Sequence, residues 1–332
     1  MSAEPRRVDR ARLSIVLPVY NEEEVLPALQ ARLCGVLTEV AADFEVILVD
    51  DGSSDGTAQL IDALHDEDPR FKCLHLSRNF GHQPAVTAGL AAASGDVVCV
   101  MDADLQDPPE LLPRLLAQWE AGFDVVYAVR RERKEHWLLV RLYQLFYRLM
   151  AGLSTIPMPL DAGDFCLLSR RVVDELQRLP EKERYVRGLR AWVGFRQTGV
   201  PYERDARHAG ASKYSLLGLT RLALNGIVSF SDRPLLLMMG IGVAISAVAV
   251  LYGSYLVAAR LFLGNIITGY ASMMSALLFL SGLQLVVMGV LGLYVGKIFQ
   301  EVKARPTYVV QSTRGLDGES YSQSGVWETA SR

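Results

Sequence analysis

Five short apolar runs recur along the first 130 residues, and each ends in a polar cluster. Leu13–Tyr20 leads into Asn21-Glu22, and Phe44–Val49 into Asp50-Asp51-Gly52-Ser53. Phe71–Ser77 leads into Arg78-Asn79, Asp96–Met101 into Asp102-Ala103-Asp104, and Asp124–Val129 into Arg130-Arg131. Between them lie segments of helical spacing: Val25–Val40, a stretch to about His65, Gln83–Ala93 and Pro109–Ala121. Strands alternating with helices at this spacing predict a parallel sheet with right-handed crossovers. The carboxyl ends of such strands share one edge, where open α/β sheets bind ligands. A single polar cluster reads as a turn or a helix cap. A cluster at every strand end predicts a binding edge.

The fourth run carries the sharpest chemistry. Asp102 and Asp104 would share a face if extended geometry persists past the strand. Two hard oxygen ligands side by side suit Mg²⁺ or Mn²⁺, which substrate phosphates usually help to hold. The prolines at 108 and 109 stop the strand and open a helix. No G-x-G-x-x-G follows the first strand and no G-x-x-x-x-G-K-[ST] occurs, which argues against dinucleotide and P-loop readings. With 34 basic against 37 acidic residues, the chain is no general nucleic-acid binder. Cys34, Cys73, Cys99 and Cys166 form no C-x-x-C pair and read as small core residues in a reducing compartment.

Val49-Asp50-Asp51-Gly52-Ser53, Arg78-Asn79 and Asp102-Ala103-Asp104-Leu105-Gln106 together resemble family 2 glycosyltransferases with the GT-A type fold. The longer string Asp104-Leu105-Gln106-Asp107-Pro108-Pro109-Glu110 is similar to the polyprenyl-phosphate branch, which includes dolichol-phosphate mannose synthase and bacterial undecaprenyl-phosphate glucosyltransferases. The resemblance implies that Pro18, Tyr20, Glu22 and Asp50 hold the nucleoside of a nucleotide-sugar. It implies that Asp102, Asp104 and Gln106 hold the metal and, through it, the diphosphate. An amide oxygen beside two carboxylates is a reasonable third hard ligand. Asp51, Arg78, Asn79 and Arg130, on the same edge, complete the expected donor site.

Downstream, Pro159-Leu160-Asp161-Ala162-Gly163-Asp164-Phe165 resembles the acceptor-loop motif D-x-G-D-F of that branch. By this resemblance Asp161 is the first candidate base and Asp164 the second. The demand on a base is small, because a phosphate monoester is already anionic near neutral pH, its second pKa being about 6. Helices are expected over Arg170–Leu179 and Tyr185–Val193, and a short strand over Thr198–Tyr202. Arg207-His208-Ala209-Gly210-Ala211-Ser212-Lys213-Tyr214 is similar to the family's R-x-x-G-x-S-K-[YF] loop, which assigns Arg207 and Lys213 to the donor phosphates.

The remaining segments point to a membrane. Residues 137–153 carry Arg141, Gln144 and Arg148 on one stripe of an otherwise bulky apolar helix, a pattern that suits a membrane interface. Residues 215–233 repeat the theme with Arg221, Asn225 and Ser229. Pro234–Ala259 and Tyr270–Gly296 are uncharged and long enough to span a bilayer. Arg221 and Arg233 precede the first run, and Lys297, Lys303 and Arg305 follow the second, which predicts both ends on the cytoplasmic side. The polar start, Met1–Arg12, has no apolar core and does not read as a signal peptide.

The expected organisation is a flexible 1–12, a cytoplasmic GT-A catalytic domain over 13–214, an interfacial helix over 215–233, two transmembrane helices within 234–297 and a cytoplasmic tail over 298–332. In the tail, Arg305–Val310 reads as a short strand, and related enzymes use such a tail between subunits, so a homo-oligomer is expected. The expected activity is transfer of a hexose, uridine-linked, to a polyprenyl phosphate with inversion at the inner membrane's cytoplasmic face. A polysaccharide synthase would carry Q-x-x-R-W, whereas Gln197 is followed by Thr198-Gly199-Val200. A non-catalytic nucleotide-sugar-binding scaffold is the remaining alternative.

Overall fold

A computed structural model describes residues 6–130, 162–182, 184–202, 233–263 and 269–316. These fall into two compact units, the first holding the described residues up to 202 together with 304–316, the second 233–263 and 269–303. The expected interfacial helices, Asp161, Arg207 and Lys213 lie outside the described residues.

In the first unit the chain runs β1 (Arg12–Val19), α1 (Leu26–Val40), β2 (Asp43–Asp50), α2 (Thr57–Glu67), β3 (Phe71–Leu76), α3 (His82–Ala92) and β4 (Val97–Val100). It continues through a 3₁₀ turn at Pro109–Leu111 to α4 (Leu112–Glu120), β5 (Val125–Arg130), β6 (Ala162–Ser169), α5 (Arg170–Arg178), α6 (Val186–Trp192) and β7 (Gln197–Tyr202). The eight-stranded sheet has the order β7-β5-β6-β4-β1-β2-β3-β8, where β8 is Val310–Arg314. β1, β2, β3 and β4 pair in parallel, as do β5 and β7. β6 runs antiparallel to both of its neighbours, and so does β8 to β3.

Burial explains why the strands are continuous apolar runs. Ile15, Val16, Leu17, Val46, Ile47 and Leu48 are all at most 1% exposed, as expected where helices cover both faces of a parallel sheet. The helices contribute matching faces. Leu26, Leu29, Leu33 and Leu37 of α1 are buried at helical spacing, and Leu112, Leu115, Leu116 and Trp119 do the same for α4. Each such side chain contributes about 1.5–3 kcal/mol on burial.

Two elements differ from the sequence expectation. Ala162–Phe165, part of the stretch read as an acceptor loop, belongs to a strand, Ala162–Ser169, inserted between β4 and β5. The tail strand begins at Val310, after the Arg305–Val309 stretch rather than within it, and pairs with β3 of its own chain. The register places Ser312 opposite His75, so β8 closes the sheet edge within one subunit.

The second unit holds α7 (Arg233–Leu263) and α8 (Tyr270–Val302). Met238–Tyr255, with mean hydropathy 1.6, and Phe279–Val302, with 1.8, are long and apolar enough to cross a membrane. Neither window is buried within the fold.

Candidate active site

The carboxyl ends of the parallel strands do share one edge, and their loops are tied together there. The turn after β1 puts Asn21 in the left-handed region, at φ 55°. Its side-chain oxygen accepts from Ser54 N at 2.8 Å, and its backbone N–H donates to Ser53 Oγ at 3.0 Å. Glu22 N donates to Thr57 Oγ1 at 2.9 Å, which joins the same two loops. Pro18 is half-buried, and Tyr20 is 46% exposed beside it.

Asp50 ends β2 and is buried. Ser53 N donates to one of its oxygens at 2.9 Å, and His75 Nδ1 lies 3.2 Å from the other. Burial resists ionisation of Asp50, but these partners outweigh it and hold its carboxyl below the usual range. Asp51 turns the other way. Both of its oxygens accept backbone N–H groups, from Phe80 at 2.7 Å and Gly81 at 2.8 Å, so it shapes the loop after β3. In that loop Arg78 stacks over Phe80 at 4.1 Å and donates to Asn79 O at 3.0 Å. Arg78 and Asn79 are exposed on the edge.

The acidic turn departs from the extended geometry expected. β4 ends at Val100, and the chain turns over residues 103–107 with Leu105 at φ 56°. Asp104 Oδ1 accepts Gln106 N at 3.1 Å, which closes a local turn. Asp102 and Asp104 are therefore brought together by this turn, not by strand alternation. Asp102 Oδ1 and Gln106 Oε1 are buried and make no hydrogen bond among the described residues. A buried acceptor without a donor costs about 1–3 kcal/mol, and two on one turn with Asp104 between them fit a hard divalent cation. Burial, with the carboxylates of Asp164, Asp107 and Asp104, pushes the Asp102 carboxyl up to about 6 against the opposing pull of His82. Asp107 is fixed from β7, where Tyr202 donates its hydroxyl to Asp107 Oδ1.

β6 supplies Asp164. Arg187 of α6 grips it with two bonds, Nε at 3.1 Å and Nη2 at 2.8 Å. His82, the first residue of α3, places Nε2 3.6 Å from both Asp102 Oδ1 and Asp164 Oδ2. Burial works against the charge on His82, but the two carboxylates prevail and raise its pKa. Asp164 is held well below the ordinary carboxylate range: His82 and Arg187 overcome its burial. β5 delivers the backbone of Arg130 to the same edge.

His75, His82, Arg187 and the Tyr202–Asp107 contact were not singled out from the sequence. His82 had a signal, since it lies three residues after the Arg78-Asn79 cluster that closes β3. Arg187 had none, because its partner lies 23 residues earlier on another element.

Comparison with known proteins agrees with this architecture. The model of "Glycosyl transferase family 2" matches residues 14–177. An uncharacterized glycosyltransferase of Bacillus subtilis is 44% identical over 92% of this chain and 95% of its own. A second, from Synechocystis, is 45% identical over 92% of this chain and 96% of its own. The bactoprenol glucosyl transferase of Shigella phage SfX is 40% identical over 91% of this chain and all of its own, 100%. Identity at this level along nearly the whole length means that the chain belongs to glycosyl transferase family 2.

Proposed function

We propose that this glycosyltransferase moves a hexose, glucose by likeness to the bactoprenol glucosyl transferases, from a uridine diphosphate donor to a polyprenyl phosphate. The observation that carries the reading is the pair of buried, unbonded oxygens on the acidic turn, Asp102 Oδ1 and Gln106 Oε1. With Asp104 they would hold Mg²⁺ or Mn²⁺. That ion, when bound, neutralises the charge building on the leaving diphosphate. Asp50 and the Tyr20–Glu22 loop receive the nucleoside. Arg207 and Lys213 would add donors to the phosphates; Arg207 lies five residues after Tyr202, whose hydroxyl is anchored to the acidic turn.

The acceptor phosphate oxygen attacks the anomeric carbon. The bond from that carbon to the donor's β-phosphate oxygen breaks on the opposite face, inverting the centre and releasing the nucleoside diphosphate. No proton has to be removed from a phosphate dianion. Asp164, already held by two cations, is a weak proton acceptor and keeps His82 and Arg187 oriented at the edge. Asp161 remains the candidate for a base or an acceptor-orienting group.

α7 and α8 carry the membrane reading. Leu251, Leu285 and Val302 are 71%, 70% and 76% exposed, an apolar surface that suits lipid better than water. The Lys and Arg residues flanking the two apolar helices support a cytoplasmic catalytic unit. The test is transfer by the full chain in lipid vesicles, using labelled UDP-hexoses, undecaprenyl phosphate and added Mn²⁺ or Mg²⁺. Lipid-linked label that disappears with chelator is the expected result. Donor binding with no transfer to lipid would support a scaffold and overturn the enzyme reading.

A further inference from the structure

Next to the donor edge lies a buried ionic group that the donor, metal and acceptor roles do not explain. His75, on β3, is 10% exposed at its side chain and lies between two carboxylates. Its Nδ1 is 3.2 Å from Asp50 Oδ2, and its Nε2 is 3.1 Å from Asp62 Oδ1 on α2. Both ring nitrogens meet acceptors, which only the doubly protonated imidazolium can satisfy at once. The outer carboxylate is itself braced, with Arg314 Nε of β8 3.9 Å from Asp62 Oδ1 and its Nη1 3.2 Å from Asp66. The four residues thus line up as Arg314, Asp62, His75 and Asp50, from the last strand of the sheet to the carboxylate at the donor edge.

Asp62, Cys73 and His75 place their ligand atoms within 4.8 Å of one another, which raises the alternative of a metal site. The hydrogen bonding speaks against it. The Cys73 sulfur donates to Ile61 O at 3.2 Å, as a thiol does. Both His75 nitrogens already face carboxylates.

We propose that His75 is a positioning residue for the donor: held as a cation by Asp62, it fixes the plane of Asp50 so that the remaining lone pairs of that carboxylate accept an N–H from the nucleobase. The inference rests on the reading of Asp50 as a nucleoside-binding group. Ser53 sits on one Asp50 oxygen and His75 on the other, which leaves an acceptor direction on the oxygen facing His75. Ring N–H donors, such as the imide of uracil, match a carboxylate fixed in this way. The groups facing the imidazole are Asp50 of β2, Asp62 of α2 and Cys73 of β3, and together they raise its pKa to about 10. A wild-type imidazole therefore stays charged across the working range. Without Asp62, one carboxylate fewer holds the proton, and the ring loses it at lower pH.

The experiment uses the full chain in detergent, measuring UDP binding by calorimetry with Mn²⁺ present, and donor and acceptor KM with kcat. In His75→Gln the UDP Kd and the donor KM should rise about tenfold, with kcat within about threefold and the polyprenyl phosphate KM unmoved. Asp62→Asn, a nearly isosteric change at a half-buried position, should weaken UDP binding about threefold at pH 7 and about tenfold at pH 9.5, relative to wild type at each pH. A pH-independent ratio for Asp62→Asn, or a wild-type Kd for His75→Gln, would overturn the role of His75 alone. Wild-type protein that binds no UDP at all would overturn the donor-site reading together with it.

Discussion

Asp102 and Asp164 lie opposite each other across the antiparallel β4–β6 pair, each two residues beyond the last registered partners, Val100 and Cys166. Both carboxylates sit 3.6 Å from the same nitrogen, His82 Nε2. The inserted strand β6 thus carries the second acidic motif to the first. The acidic turn after β4 and the carboxylate of the D-x-G-D-F stretch become parts of one cluster because strand pairing sets them side by side.

That crowding makes Asp102 costly to ionise. Its carboxyl is raised to about 6, so the metal-free fold binds a proton there more tightly than the unfolded chain does. The sign follows: stability falls as pH rises from the unfolded pKa through about 6, and the loss is complete above it. At pH 7.5 without divalent ions, Asp102→Asn should therefore be more stable than wild type by about 2–3 kcal/mol. Added Mn²⁺ should raise the melting temperature of wild type but not of the variant, and transfer should fall at least about a hundredfold in the variant. Thermal unfolding with and without Mn²⁺, beside the transfer assay, checks all three.

Arg187 neutralises Asp164, whose side chain is 17% exposed. Replacing it with Met keeps the bulk and removes the charge. A buried carboxylate stripped of its partner costs about 3–5 kcal/mol, and the neighbouring His82 reduces this toward about 2–3. Arg187→Met should lower the unfolding midpoint accordingly and reduce kcat. A variant with unchanged midpoint and rate would show that the pair contributes nothing.

Gly52 holds the loop after β2 at φ +69°. A Cβ there would stand 2.5 Å from the carbonyl carbon of Arg78 and 2.7 Å from Asn79 N, both backbone atoms that cannot swing aside. Left-handed strain alone costs about 1–2 kcal/mol for a residue with a side chain. Gly52→Ala should push the two loops apart and weaken UDP binding at least about tenfold, read by calorimetry, while α7 and α8 keep their helical signal in circular dichroism.

Glu45 anchors the opposite end of the sheet. It accepts from Ser14 Oγ at 2.6 Å and Ser94 N at 2.7 Å, and pairs with Lys72 at 2.8 Å. Although burial opposes ionisation, these partners bring its carboxyl down to about 2. A depressed folded pKa gives stability that is present above the unfolded value near 4.5 and lost as pH falls toward 2. Glu45→Gln should cost about 3 kcal/mol at pH 7. The gap to wild type should close between pH 4.5 and pH 2, followed by tryptophan fluorescence in urea.

The sequence showed β1, β2, β3, β4 and β5 to within about two residues, because strands covered on both faces must be continuously apolar, and it also showed the half-buried edge strand β7. It showed α7 and α8 for a similar reason, since uncharged runs of that length have few other uses. It missed β6, where the motif residues Asp161–Phe165 drew attention to chemistry and away from the apolar Phe165-Cys166-Leu167-Leu168 that follows. It also extended the strand geometry of β4 through Asp104, where Leu105 at φ 56° folds the chain into a turn.

What the sequence determined by itself was local: alternating strands and helices, the polar cluster closing each strand, the two apolar runs, and the acid-rich motif of the family. Periodicity and residue chemistry act over a few positions, so one chain read alone displays them. Only the tertiary structure decided that His82 faces two carboxylates, that Arg187 holds Asp164, and that His75 is clamped between Asp50 and Asp62. Those contacts join residues on different elements up to 82 positions apart, from His82 to Asp164, beyond the reach of any local pattern. Their energies come from burial and opposite charge, which exist only once the sheet has brought the partners together.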